Sequence, residues 1–323
     1  LDANTTANNN TAVGTNSLSA CTTGTQNTAL GSYALNASTT SNDNTAVGYS
    51  ALIVNTTGAN NTALGASALI NNETANNNTA LGAFALQENT TGSYSTAVGY
   101  DALKKNTTAN SNTAVGYNAL KENVTGTGNV AMGNQALQDN TASNNTAFGS
   151  NALRLTTSGG YNTAVGTQAM EDNTTGANNT AAGYQASHSN TTGTNNTSLG
   201  YTALWANTTG QYNVAVGSLA LDANTTGDQN TSIGYTALGA NTNGQNNAAL
   251  GTYTMAANTS GNNNTGLGYG ALGANTTANN NTAVGYKSLE SNTTGTNNTA
   301  VGSQALDANT TGNSNSAFGI DAL

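Results

Sequence analysis

The sequence predicts an all-β fold, a parallel β-solenoid with one 17-residue repeat per coil and about nineteen coils, on three observations. A glycine returns at a fixed interval from one end of the chain to the other. A short apolar, β-branched string precedes each of these glycines, and a turn-forming Asn-Thr-Thr-Gly or a close variant follows most of them. The alphabet is correspondingly narrow: 323 residues hold five Lys+Arg, fourteen Asp+Glu, one His, one Cys and no Pro. Such a composition also suits disorder, but disorder requires no fixed period.

The glycine falls at Gly14, Gly31, Gly48 and onward to Gly319 in nineteen copies, every interval being 17 residues except the 16 between Gly133 and Gly149. The unit reads N-T-A-V-G-Y-x-A-L-x-x-N-T-T-G-x-N. It extends over residues 1–323 with no second composition zone, which predicts one repeat array.

Within the unit, the residue before the glycine is apolar in every copy, from Val13 and Leu30 to Val301 and Phe318, which predicts a core position. Thr two residues earlier shares that face of a strand, so the same reading half-buries it. Four residues after the glycine comes a second core column, mostly Leu, with Met170, Met255 and Ser187 as departures. One such coil encloses nothing by itself. Stacked in parallel at ~4.8 Å, coils satisfy each other's backbone groups and turn each column into a ladder, nineteen of them making a rod roughly 90 Å long. A helical repeat is opposed by glycine in the apolar string and again in the turn, beside β-branched Thr.

The N-T-T-G segment, as at Asn89-Thr90-Thr91-Gly92, is expected to be an exposed corner, its Asn tolerating left-handed backbone and its Gly supplying positive φ. The short interval loses its residue in Asn140–Asn145, where a turn absorbs a deletion more readily than a strand. Charges cluster in the two variable positions after the second Leu, for example Lys104-Lys105, Lys121-Glu122 and Glu171-Asp172, and are expected to face water.

Two columns are almost always Ala: the residue inside the strand and the residue before the second Leu. Period-two alternation points them away from the core, and a size limit on an outward face suggests close approach by another chain, hence a homo-oligomer. A narrow solenoid whose cramped interior takes the Ala is the alternative.

The string Asn112-Thr113-Ala114-Val115-Gly116-Tyr117-Asn118-Ala119-Leu120 resembles the S-V-A-I-G repeats of YadA-type trimeric autotransporter adhesin heads. The longer unit is similar to repeats of bacterial and phage tail-fibre-domain surface proteins. These resemblances imply a left-handed β-roll, a homotrimer, an extended fibre at the cell surface and a role in adhesion. The unit differs in length from that of the adhesin heads, and no anchor, coiled-coil stalk or chaperone segment is present. Leu1 and Leu323 both stand at the second leucine station, so the array is expected to be an uncapped window of a longer chain or a unit of a head-to-tail filament.

Function is expected to be that of an extracellular structural fibre or adhesin shaft, whose partners are itself and a surface or glycan ligand left unidentified. An ice-binding solenoid with Thr ladders is the alternative. A net charge of −9 without a basic stripe speaks against nucleic acid, and no apolar run of membrane-spanning length is present. No cluster of ionisable groups breaks the repeat, so no enzyme, metal or cofactor is expected. His188 and the lone Cys21 read as surface and casual substitutions, and the recurrent Tyr after the glycine as packing rather than a sugar-binding track, because Ser, Thr and Ala interrupt it. Asn-x-Thr triplets make candidate glycosylation sites of the corner residues Asn55, Asn89, Asn106, Asn173, Asn190, Asn207, Asn224, Asn292 and Asn309. The triplet whose Thr is the strand residue reads as a poorer acceptor.

Overall fold

The computed structural model describes residues 2–323; Leu1, one of the expected leucine stations, lies outside them. The chain divides into two compact units, Leu1–Tyr161 and Asn162–Leu323. Three-residue strands recur in both, nine from Thr11–Val13 to Thr146–Phe148 and ten from Thr163–Val165 to Ser316–Phe318, with no helix among the described residues. The fold is a parallel β-solenoid with one repeat per coil.

Within each unit a strand pairs in parallel and in register with its successor, so Thr45, Ala46 and Val47 lie beside Thr62, Ala63 and Leu64. The second unit repeats the pattern, with Thr282, Ala283 and Val284 beside Thr299, Ala300 and Val301. Pairing extends beyond the strands: Leu52 donates its N–H to Ala68 O at 3.1 Å and Thr56 donates to Glu73 O at 2.9 Å, each one coil on. The whole coil, turns included, is therefore a backbone ladder, which is how so little regular strand satisfies so many buried polar groups. The missing residue is absorbed at the corner, as expected. Thr146 pairs with Val130, sixteen residues back, because Asn140 reaches Ala142 O at 2.8 Å where Asn106 spans three residues to Ala109 O at 3.0 Å.

The interior corrects the phase of the sequence reading. The middle strand Ala points inward and is fully buried, as are Ala51 and Leu52 of the coil that contains Ala46. The residues expected in the core lie on the outside instead: Val13, Leu30, Leu64, Val165, Leu199 and Phe318 are exposed, and others such as Val47, Val98, Val115 and Val284 are partly exposed. Their strand Thr partners are partly or fully exposed with them. Side chains alternate along a strand, so choosing the wrong phase by one residue exchanges inside for outside at every position. A single coil wraps too small a cross-section to hold Thr and Val, and Ala is what fits. The Ala columns are thus the cramped interior, and the contact with another chain inferred from them loses that support.

The second core column is buried as expected, at a conformational cost the sequence did not reveal. Leu35, Leu52, Leu103 and Met170 have φ near +50°, a left-handed setting that costs a side-chain-bearing residue about 1–2 kcal/mol. Burying a leucine contributes about 1.5–3 kcal/mol, which offsets it and explains why Gly, free of the strain, never occupies this column.

The glycines also differ from expectation. The post-strand glycines carry positive φ, +136° at Gly116, and a Cβ there would stand 2.3 Å from Gly133 O in the next coil. Corner glycines such as Gly58 and Gly92 do not have positive φ. Their limit is space rather than φ: a Cβ on the backbone as it stands would meet the next coil's carbonyl oxygen at 2.3–2.4 Å, and the column takes only Gly or another small residue such as Ala75, Ala109 or Ser41.

Candidate functional site

The corner Asn is an interior residue. Asn106 Nδ2 donates to Asn89 Oδ1 at 2.9 Å and to Ala109 O at 3.0 Å, while its own Oδ1 accepts from Asn123 Nδ2 at 3.2 Å. A second ladder comes from the Asn before each strand: Asn61 Nδ2 donates to Ala75 O at 2.8 Å, and its Oδ1 accepts the Asn78 N–H at 3.0 Å. Both ladders are buried.

The candidate acceptors Asn55, Asn89, Asn106, Asn173, Asn190, Asn207, Asn224 and Asn292 therefore lie inside the coil, and Asn309 is half-buried with its Nδ2 donating to Asn292 Oδ1. The expectation that they stand on an exposed turn is corrected, since their amides donate inside the coil, as Asn55 does to Gly58 O and Asn106 to Asn89 Oδ1 and Ala109 O. Exposed left-handed asparagines occur instead just before the second ladder, at Asn60, Asn77, Asn178, Asn195, Asn263, Asn280 and Asn297. Each of these is followed by Asn-Thr.

Two outer faces remain for function. The first is the strand face, where most coils present a Thr, replaced by Val130, Val214, Ala248 and Ser316, and each presents an apolar residue. In the first unit the apolar row includes Leu30, Leu64, Met132 and Phe148, each between 39% and 48% exposed. In the second it includes Val165, Leu199, Ile233, Leu250 and Leu267. Apolar side chains at every strand spacing along a parallel sheet form the kind of contiguous patch that soluble monomers seldom leave open.

The second face follows the glycine and carries the tyrosines, the charges and the variable residues. Tyr100 stacks on Tyr117 with centroids 5.9 Å apart, and Phe84 meets Tyr100 edge-on at 5.7 Å. Asp101 lies between Lys104 Nζ at 3.2 Å and Lys121 Nζ at 3.7 Å, so the expected charge positions are only partly exposed and pair across coils. In the second unit Tyr235, Tyr253, Tyr269 and Tyr286 form an unbroken aromatic run with centroids 5.4, 5.9 and 5.6 Å apart. The sequence hid this continuity, because Thr252 occupies the usual tyrosine column and Tyr253, one residue later, fills the gap. Beside the run lies a groove of about 620 Å³ lined by Tyr253, Tyr269, Gly270, Gly273, Lys287 and Glu290, with alanines and Ser291 completing its wall.

The singular residues sit quietly in this scheme. His188 stacks on Trp205 and lies 3.6 Å from Glu171 Oε2 and 3.5 Å from Asp172 Oδ2. Cys21 occupies the corner ladder in place of Asn, donating to Gly24 O at 3.4 Å, and burial pushes its thiol above the usual range. Among the described residues no group of three His, Cys, Asp or Glu could hold a metal ion, and no helix is long and apolar enough to cross a membrane. No protein-family model matches the chain, and no curated protein matches it.

Proposed function

We propose that this chain is a structural element of an extracellular fibre or adhesin shaft, in which the strand faces of several copies pack against one another. The observation that carries this reading is the apolar row on the strand face. It repeats at one strand spacing, so an identical row on a second copy matches it along its length, the self-complementarity a symmetric homo-oligomer needs. The homotrimer and the cell-surface location come from the resemblance to adhesin heads, and the repeat itself favours a role as a spacer whose length grows with coil number.

The decisive experiment compares the protein with a variant carrying Leu30→Glu and Leu64→Glu. Both side chains are exposed in the single chain, so the fold tolerates the change. Sedimentation is expected to give an oligomer for the parent and a monomer of unchanged circular dichroism for the variant. A monomeric parent overturns the reading.

Ice binding is the second reading, favoured by the outward Thr that accompanies the apolar residue on the same strand face, as at Thr28 and Leu30. A monomeric protein that produces thermal hysteresis, lost on replacing the strand Thr, selects it over the fibre.

A further inference from the structure

The groove beside Tyr253 is an interruption of the repeat, and the interruption is local. The first variable column after the second Leu elsewhere holds large side chains such as Lys104, Lys121, Arg154, Glu171 and Trp205, but three successive coils of the second unit carry Gly239, Ala256 and Gly273 there. Gly270 is likewise small in a column that holds Gln135, Gln185 and Lys287 in other coils. The surface is carved out where the aromatic run is longest.

Tyr253 contrasts with the stacked ring pairs and shares its edge-on setting with Tyr33 and Phe84, which stand in the same column of other coils. Tyr269 and Tyr286 are nearly parallel at 17°, so their faces are turned along the array toward one another. Tyr253 stands at 82° to Tyr235 and 87° to Tyr269, which turns its faces across the array, and it lines the groove. Among the lining residues Lys287 Nζ lies 3.0 Å from Glu290 Oε1, giving a donor and an acceptor side by side. An aromatic ring lining the same groove as a paired donor and acceptor has the chemistry of a sugar site: the apolar C–H face of a pyranose stacks on the ring while its hydroxyls exchange hydrogen bonds with ammonium and carboxylate. The volume falls in the range of small-ligand pockets, with room for a short saccharide.

We propose that the Tyr253 groove binds a pyranose unit of a glycan, a site that rests on the adhesin reading and supplies it with a ligand class. It lies on the post-glycine face, so glycan contact and packing of strand faces do not compete for the same residues.

The test probes the intact protein with immobilised linear oligosaccharides of neutral hexoses and N-acetylhexosamines, then measures affinity for the bound ones by calorimetry. Two variants are compared: Tyr253→Ala, which removes the stacking face, and Gly270→Gln, which fills the groove. The second keeps the fold, because glutamine already occupies that column with left-handed φ at Gln135 and Gln185, and a Cβ at Gly270 meets nothing closer than 3.6 Å. Each is expected to weaken binding about tenfold or more with oligomeric state unchanged, and Gly270→Gln does so with the melting temperature unchanged as well. Oligomers that bind none of these saccharides, or whose affinity neither variant moves, overturn the site while leaving the fibre reading intact; a monomeric parent sinks the fibre reading and is scored separately.

Discussion

Gly266 makes room for Thr254 of the preceding coil: a Cβ at Gly266 would stand 2.6 Å from Thr254 Cγ2 and 3.1 Å from Met255 Cε. Most coils pair Ala with Ala at these two places, so the larger Thr is matched by the smaller Gly. Gly266→Ala alone is expected to lower stability by about 1–3 kcal/mol through overpacking. With Thr254→Ala present, which also removes the Thr254 hydroxyl donated to Gly268 O at 2.6 Å, the same change should be near neutral. Urea unfolding of the double-mutant cycle measures the coupling.

The two kinds of glycine should respond differently to a methyl group. Gly116→Ala forces a side chain into positive φ against the Gly133 carbonyl and is expected to cost on the order of 3 kcal/mol. Gly92→Ala should cost far less, because Ala75, Ala109 and Ala278 already stand in that corner column. Thermal denaturation of the two variants side by side separates them.

Asn106→Ala leaves Ala109 O, Asn89 Oδ1 and the Asn123 amide short of a partner inside the coil. A loss of about 3 kcal/mol is expected, since each buried polar group left unpaired costs about 1–3 kcal/mol and some relaxation follows. Hydrogen exchange should show the protection loss concentrated in the coils on either side.

Asp222 gives a pH signature. Burial raises its carboxyl above the usual 3.8, against hydrogen bonds from its own and the Ala223 backbone that pull it down. The ionised form is thus disfavoured by folding: the penalty is absent below pH 3.8, grows as pH rises toward the raised folded value, and is complete above it. Asp222→Asn is expected to melt higher than the parent at pH 7, with the difference closing below the unfolded carboxyl's pKa.

Glycan acceptance should follow exposure. Offered to an oligosaccharyltransferase, the folded protein is expected to be modified at Asn60, Asn77 and Asn178 and left bare at Asn55, Asn89 and Asn173. Glycopeptide mass spectrometry reads the sites directly.

Period, coil and leucine column were legible in the sequence because they repeat at a fixed interval with a fixed chemistry. The strand's phase was not. Three residues of Thr-Ala-Val give only one alternation, and bulk argued for Val47 inside when the narrow coil accommodates only Ala46. The burial of Asn55 was not legible either, since asparagine serves a left-handed turn and a buried amide ladder equally well. Left-handed φ at Leu35 is illegible in principle, because the core and not the residue's own preference selects it. The Tyr253 groove was missed as its aromatic run crosses from one column to the next, visible only once coils are stacked.

Asn89 donates to Asn72 and accepts from Asn106, and Asn106 donates to Asn89 and accepts from Asn123, so each of these coils offers its neighbour the same socket it fills. A repeat copied in or dropped out by gene slippage therefore finds its seat already made, provided it arrives whole. Reach becomes a heritable dial, adjustable one copy at a time without redesigning the interior.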